Sequence, residues 1–353
     1  MKLKNTLKIG ICVVLTLCIC VVAVFSVVNR VNQYFDVKEA AALMAAFSVM
    51  PDAQLTVEET EKPTVMEKSK RIASESETQA KEKDIKDNST HKNEKKYPIQ
   101  ETNISTGQIE HNGFYIKNTT SYDMDIDALL SSELPFDFKD TREAQVLIVH
   151  THTCESYMDF DEGYYYESFY PRTTNNDLNV CAVGDAIAKG LKEKGIGVIH
   201  AKEQHDNPSY NGAYDRSYDT IMKYMDKYKE IKVVLDIHRD SMTADDMTRY
   251  KPTFTYKGQK GAQIMIMTGR DDGDGDFPTW EDNLKFALKL HSTCEQKYPG
   301  MTRPLYFGDF TYNMNVNSGS LLIEVGTDAN TLDEAVLSGK LLSNALAEVL
   351  QNG

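Results

Sequence analysis

Short apolar segments alternate with amphipathic segments from about residue 146 to the end of the chain, and this alternation constrains the fold most. The apolar segments are predicted strands at 146–149, 196–201, 232–238, 262–269 and 319–326. The amphipathic segments are predicted helices at 177–195, 217–228, 280–298 and 331–351. Strands that alternate with helices in this way are typical of α/β proteins. The pattern predicts a mixed, mostly parallel open sheet with helices on both faces.

Three of these strands end in polar, reactive residues. VLIV (146–149) leads into HTHTCE, VVLD (233–236) leads into IHRD, and SLLI (320–323) leads into EVG. Active sites of open α/β sheets lie at the carboxyl ends of the strands. The sequence therefore predicts that these three segments converge on one site.

The residue types at the strand ends are those of a catalytic zinc site. His152, Glu155 and His238 provide two imidazoles and a carboxylate, which is a ligand set that leaves zinc one open position. Glu324 follows an apolar strand, and it is the predicted catalytic acid–base because amide hydrolysis at zinc needs a carboxylate that moves a proton. A single histidine at a strand end is more often structural, so the prediction depends on all three segments together.

Four further residues are predicted to support or replace these ligands. His150 competes with His152 as a ligand, or it orients a ligand from behind. His205, in a polar segment rich in turn formers, and Arg239 and Asp240, beside His238, are the others. Each of them has an ordinary structural alternative in a loop or a surface ion pair.

The N-terminal region predicts a membrane anchor. Ile9–Val28 holds 20 residues without a charge, enough for a transmembrane helix across a hydrocarbon layer of ~30 Å. Lys2, Lys4 and Lys8 precede it, which predicts a cytoplasmic N-terminus and an extracytoplasmic C-terminal part. A cleaved signal peptide is the alternative, but its apolar region is normally shorter.

Composition divides the chain into three parts. Residues 1–30 are the predicted cytoplasmic tip and anchor, 31–111 an amphipathic segment and flexible charged tether, and 112–353 the catalytic domain. The tether prediction depends on a composition too poor in aromatic residues to form a core. The formal charge of −14 argues against nucleic acid as a partner.

Four segments taken together carry a family resemblance: HTHTCESY, HDNPSYNGAYDRS, LDIHRDS and SGSLLIEVGTDANTLDEA. In this order they resemble the stage II sporulation protein P family, whose members are membrane-anchored peptidoglycan hydrolases. The layout more distantly resembles the zinc-dependent N-acetylmuramoyl-L-alanine amidases. There the first histidine corresponds to His152 or His150, the second to His238, and the catalytic glutamate to Glu324. The glutamate ligand of that pattern falls at Asn175, so Glu155 is taken as its replacement.

The resemblance implies a function that residue spacing alone does not. It implies Zn²⁺-dependent cleavage of the N-acetylmuramoyl-L-alanine amide, with endopeptidase action on cross-links as a further activity. It also implies a role in septum thinning and engulfment during sporulation, at the septum and the engulfing membrane, with stage II sporulation proteins D and M as partners. A non-catalytic, membrane-tethered wall-binding scaffold is the main alternative, and a phosphoesterase is a second.

Overall fold

The computed structural model describes residues 91, 93–138, 143–271 and 276–352. These residues contain twelve strands and five α-helices. The strands are β1 (Lys96–Thr102), β2 (Ile109–His111), β3 (Phe114–Asn118), β4 (Ala144–Val149), β5 (Tyr164–Tyr166), β6 (Gly197–His200), β7 (Val233–Asp240), β8 (Arg249–Tyr256), β9 (Gln259–Ala262), β10 (Ile264–Gly269), β11 (Leu305–Gly308) and β12 (Ser320–Thr327). The helices are α1 (Ile126–Ser131), α2 (Val180–Glu193), α3 (Ala213–Lys227), α4 (Trp280–Lys297) and α5 (Leu332–Asn352).

An eight-stranded sheet forms the centre, in the order β2-β3-β11-β10-β12-β7-β4-β6. Within the described residues, β10 with β12 and β2 with β3 are its antiparallel pairs, and the other five neighbouring pairs are parallel. The predicted mixed, mostly parallel sheet is therefore confirmed. The strands β12, β7 and β4 are neighbours and run in one direction, so their carboxyl ends lie at one edge.

Helices cover both faces of this sheet, as predicted. Val146 and Ile148 of β4 belong to the main core, together with Val183 of α2 and residues of α4 and α5. Leu147 and Val149, which point the opposite way along the same strand, pack with Ile221 of α3 in a second core. This burial on both faces explains why the central strands are almost continuously apolar.

Helix α2 follows the sequence signals closely. The Asn179 side chain accepts a hydrogen bond from the backbone N–H of Cys181 at 2.9 Å, which caps the start of the helix. Gly195 adopts a φ of +83° just beyond the end, where the left-handed region favours glycine. These two residues fix where α2 begins and ends, and thereby which of its side chains face the ends of β4 and β6.

A four-stranded sheet, β5-β1-β8-β9, accompanies the central sheet. Its strand β1 and the central strand β2 both lie within residues 31–111, which the sequence predicts to be tether. The folded part therefore begins before the predicted boundary at residue 112. The charged composition of this region does not reveal strand β1, because exposed and half-buried side chains alternate along most of the strand.

The predicted transmembrane helix at Ile9–Val28 lies outside the described residues. Within the part of the chain that the structure describes, none of the helices has the length and apolar character needed to cross a membrane. The rest of the predicted tether before residue 91 also lies outside the described residues.

Candidate active site

The carboxyl ends of β12, β7 and β4 bring the predicted site residues together. Glu324 of β12 is the register partner of His238 on β7. On the other side of β7, Asp236 pairs with Val149, the last residue of β4. The chain then turns through residues 150–155, which places His152 and Glu155 above the end of β7. The predicted convergence of the three segments is thus present in the fold.

The two predicted histidine ligands are neighbours. The ring centroids of His152 and His238 lie 5.3 Å apart, and the rings are nearly perpendicular, at 89°. Both side chains are buried, and His152 Nδ1 has no hydrogen-bond partner among the described residues. Burial, followed by the nearby His238, lowers the pKa of His152 to about 2. A neutral imidazole with an unpartnered nitrogen is a suitable metal ligand.

Glu155 lies on the other side of His238. Its Oε2 is 3.6 Å from His238 Nδ1, and it accepts a hydrogen bond from the backbone N–H of Arg239 at 3.2 Å. The buried Arg239 guanidinium donates to the carbonyls of Ser156 and Pro171, which fixes the backbone around Glu155. Burial raises the pKa of Glu155, so a nearby cation would stabilise its charged form. Arg239 therefore positions Glu155 through its own backbone N–H and through the neighbouring carbonyls.

Asp236 contacts His238 on the side of the ring opposite Glu155. The sequence predicted no role for Asp236 in the zinc site. Its Oδ1 lies 2.9 Å from His238 Nε2, within ion-pair distance. The Asp236 carboxylate also accepts hydrogen bonds from the Thr151 backbone N–H at 2.8 Å and the Thr151 hydroxyl at 2.5 Å. The spacing Asp236-x-His238 could have revealed this role, since alternate residues of a strand share a face.

The charges around His238 favour its protonated form when no metal is present. Burial opposes the charge, but the carboxylate of Asp236, followed by those of Glu155 and Glu324, raises the pKa of His238 to about 10. The same carboxylates that attract a proton would attract a metal cation. Carboxylates therefore lie on both sides of the His238 ring. Glu155 faces Nδ1 and Asp236 faces Nε2.

Glu324 is an acid without a partner. Its Oε2 is buried and has no hydrogen-bond partner among the described residues. Burial, partly offset by His238, raises the pKa of Glu324 to about 8. A carboxyl group that titrates near neutral pH beside two histidines is suited to general acid–base catalysis.

Two tyrosines from the polar segment after β6 complete the wall of the site. The Tyr210 ring stacks on His152 with centroids 4.3 Å apart, and the Tyr214 ring meets the edge of His152 at 5.5 Å. Tyr210 remains 56% exposed, so it forms part of the surface around the site. The segment that carries His205 therefore reaches the site through its tyrosines.

His205, from the same segment, does not face the site. Its Nδ1 donates to the carbonyl of His150 at 2.8 Å, and its Nε2 lies 2.8 Å from the Thr220 hydroxyl. Both ring nitrogens are thus engaged, and neither is directed at His152 or His238. The ring fixes the backbone of the turn that carries His152.

Asp240 and His150 also lie apart from the predicted ligands. The Asp240 carboxylate lies two residues beyond His238 on β7 and pairs with Arg303 at 2.8 Å. The His150 Nδ1 donates to the carbonyl of Ile237 at 2.8 Å, and its Nε2 faces His200 Nε2 at 2.8 Å. His150 therefore takes part in a second cluster, and His152 faces the site.

The residue types and burial of His152, Glu155 and His238, together with the unpartnered Nδ1 of His152, fit a zinc ion. The tightest three-residue group of donor atoms within the described residues is a different one. It consists of His150, Cys181 and His200, whose donor atoms all lie within 4.8 Å of one another. Cys154, Cys181 and Cys294 are free thiols, and all three are buried.

The chain is 29% identical over 215 residues to stage II sporulation protein P of Bacillus subtilis (strain 168). That match covers 58% of this chain and 50% of the relative, so it spans about half the relative's length.

Among solved structures, the chain is similar to two amidases. The apo form of the N-acetylmuramyl-L-alanine amidase Ami1 from Mycobacterium abscessus is 13% identical, over 60% of this chain and 98% of that one, with a TM-score of 0.34. The CwlD amidase from Clostridioides difficile, solved in complex with the GerS lipoprotein, is 12% identical over 59% and 97%, also with a TM-score of 0.34. Similarities at these TM-scores support no conclusion on their own.

The sequence profile of one family covers most of the chain. The profile described as stage II sporulation protein P (SpoIIP) matches residues 29–347, a range that contains every residue of the site. On this match the chain is a member of the stage II sporulation protein P family.

Proposed function

We propose that this chain is a zinc-dependent peptidoglycan hydrolase that cleaves the amide between N-acetylmuramic acid and L-alanine. One observation supports this above the others. Glu324 is half-buried, and its buried, unpartnered Oε2 lies on the strand beside His238, with His152 and Glu155 on the adjoining turn. A non-catalytic wall-binding scaffold would have no reason to bury an unpaired acid at this point.

In this proposal His152, Glu155 and His238 hold the metal. Their contributions are the free Nδ1 of His152, Oε2 of Glu155 and the His238 Nδ1 that faces it. When bound, zinc polarises a carbonyl group and lowers the pKa of a water molecule to about 7. The carboxylate of Asp236 orients the His238 ring from its far side.

Glu324 moves the proton in the reaction. As a carboxylate it takes a proton from the attacking water, whose oxygen forms the new bond to the amide carbon. As a carboxylic acid it then gives that proton to the leaving nitrogen when the C–N bond breaks, which returns Glu324 to its starting state. The pKa of about 8 that burial gives Glu324 suits both halves of this cycle.

The tyrosines around the site provide the surface for the substrate. Tyr210 and Tyr312 are 56% and 43% exposed, and Tyr312 stacks on Tyr214 with centroids 5.3 Å apart. Rings of this kind pack against the apolar faces of sugars and peptides while their hydroxyl groups remain in water. They support a substrate that lies across the site from His152 toward Tyr312.

The cellular setting is part of the proposal. Family membership supports action on peptidoglycan during septum thinning and engulfment in sporulation, with stage II sporulation proteins D and M as partners and endopeptidase cleavage as a second activity. The apolar run at Ile9–Val28 supports a single-pass anchor in the cell membrane with the site outside the cytoplasm.

Product analysis tests the bond that is cleaved. The purified full chain, stripped with a chelator and then given Zn²⁺, is incubated with peptidoglycan, and the products are identified by mass spectrometry. An amidase releases peptides with a free L-alanine amino group, whereas an endopeptidase leaves stem peptides on the glycan.

Two histidine variants serve as a matched pair in this assay. His238→Ala should lose both zinc and product, whereas His291→Ala removes an equally buried histidine far from the site and should keep both. Wild-type chain that binds peptidoglycan but releases nothing after zinc is restored would identify a scaffold and end the proposal.

A further inference from the structure

A second cluster of metal-binding side chains lies next to the candidate active site, on the side of the sheet that α2 covers. His150 follows the end of β4, His200 ends the neighbouring strand β6, and Cys181 lies in the first turn of α2. The His150 and Cys181 side chains are fully buried, and the His200 side chain is 6% exposed. Their donor atoms all lie within 4.8 Å of one another.

The two imidazoles face each other through their Nε2 atoms. His150 Nδ1 must donate its hydrogen, because its partner is the Ile237 carbonyl. His200 Nδ1 lies 3.0 Å from Asp185 Oδ1, and Lys202 donates to Asp185 Oδ2 at 2.6 Å, so the His200 Nδ1 hydrogen is directed at the Asp185 carboxylate. Two neutral rings with these partners both present lone pairs at Nε2, yet the Nε2 atoms are only 2.8 Å apart. A cation between them would remove this conflict.

Helix α2 packs closely against the two rings at Gly184. Gly184 follows Cys181 by one helical turn, on the face of α2 that meets the two rings. A Cβ atom at Gly184 would lie 2.5 Å from His200 Nε2 and 2.8 Å from His150 Nε2. Glycine is unfavourable in the middle of a helix, and here its missing side chain lets the helix backbone lie against both rings.

The surroundings of the rings follow the pattern of metal-bound histidines. Such histidines donate their second ring nitrogen to a carboxylate or a backbone carbonyl, which fixes the ring and its protonation. His200 has the Asp185 carboxylate for this purpose, and His150 has the Ile237 carbonyl. Both rings are therefore held with Nε2 directed at a common point beside Cys181.

We propose that His150 Nε2, His200 Nε2 and Cys181 Sγ bind a divalent transition-metal ion, with Zn²⁺ as the expected metal. Two imidazoles and a thiolate are a zinc ligand set, and the sulfur excludes magnesium and calcium. Bonds of 2.0–2.1 Å in a tetrahedral site place two nitrogen ligands about 3.3 Å apart, so the rings need to separate by only about half an ångström. The thiol proton leaves when the metal binds.

This site is distinct from the candidate active site, and it would hold that site's framework. His150 lies two residues before His152, and the Ile237 carbonyl that fixes its ring lies one residue before His238. A metal here would tie the ends of β4 and β6 to α2. The proposal does not depend on the proposed peptidoglycan cleavage.

Cobalt spectroscopy tests the site in the full chain. Co²⁺ is added to metal-free protein, and the near-ultraviolet absorption band of a thiolate–cobalt bond is measured. Wild type and His238→Ala should both show the band, because His238 belongs to the other site. Cys181→Ser should lose it, whereas Cys294→Ser, a change at an equally buried thiol, should keep it.

Metal content gives a second measurement. Native mass spectrometry of the zinc-loaded chain should show one zinc fewer in Cys181→Ser than in wild type, and also in His200→Gln, which serves if the serine variant does not fold. A wild-type chain without the thiolate band at saturating Co²⁺ would overturn the proposal, because a shared proton alone would then join the two rings. A band that survives Cys181→Ser, or that is lost in Cys154→Ser instead, would also overturn it.

Discussion

The turn after β4 supplies one histidine to each of two clusters, and the clusters differ in how their ring nitrogens are used. In the cluster of His150, Cys181 and His200, each Nδ1 is held by a carbonyl or a carboxylate. In the cluster of His152, Glu155, His238 and Glu324, His152 Nδ1 and Glu324 Oε2 have no hydrogen-bond partners among the described residues.

Their surroundings differ as well. The first cluster is packed closely against α2. The second lies under exposed tyrosines. Fixed rings in a closed space suit a structural ion, whereas unpaired groups beneath an open surface suit chemistry on a substrate. Under the two proposals, the cluster with His152 carries out catalysis and the cluster with His150 supports the framework of the site.

The largest expected effect is at Glu324, where the comparison places the proton transfer. Glu324→Gln keeps the shape of the side chain but cannot accept or return a proton, so the rate of product release should fall by about 10²–10⁴-fold. Zinc content measured by mass spectrometry should stay at the wild-type value, because Glu324 is not among the proposed ligands. Glu324→Gln with wild-type turnover would remove the acid–base role from this cluster.

A smaller effect is expected at Asp236, which orients His238 from behind. Asp236→Asn removes the charge that faces His238 Nε2 and should weaken zinc binding by about 10–100-fold, as measured by competition with a chelator. The thiolate–cobalt band of the other cluster should not change. Asp240→Asn is the matched control, because Asp240 pairs with Arg303 and not with a proposed ligand. Equal losses in both variants would show a general effect of charge.

Gly184→Ala tests how closely α2 packs against the rings of His150 and His200. The added methyl group would overlap both Nε2 atoms, so the free energy of unfolding should decrease by about 1–3 kcal/mol despite the better helix propensity of alanine. Denaturant unfolding of the full chain measures this change. The same substitution in a His200→Ala background should cost less, since one of the two rings is gone. An unchanged or larger cost there would locate the strain elsewhere.

Sequence patterns predicted the sheet well because strands such as β4 and β7 combine a continuous apolar run with abrupt polar ends. They predicted poorly where the signal is non-local. Strand β1 carries few apolar residues and is defined by its pairing with β5 and β8. Strand β1 falls within the predicted tether for this reason, since composition is read along the chain while pairing occurs across it.

The residues of the two clusters also divide into those that sequence patterns predict and those that they do not. His152, His238 and Glu324 converge because parallel neighbouring strands bring their ends together, which a strand assignment already implies. The partnership of His150 with His200 needs the order of β4 and β6 in the sheet, and the role of Gly184 needs the packing of α2 against both. The ring of Tyr210 against His152 depends on the path of a long loop, which no periodicity describes.

Tyr210 gives the smallest expected effect and the finest test of the comparison, because its ring covers the open cluster alone. Tyr210→Ala removes the stack on His152, worth about 0.5–1.5 kcal/mol, and should weaken zinc binding about 2–10-fold and raise KM. Tyr210→Phe keeps the ring and should bind zinc as wild type does, so any rise in its KM reports the hydroxyl group. Chelator competition and steady-state rates on peptidoglycan fragments separate the two. If Tyr210→Ala left both quantities unchanged, the tyrosine wall would serve neither ligand nor substrate, and the contrast between an open and a closed cluster would depend on Glu324 alone.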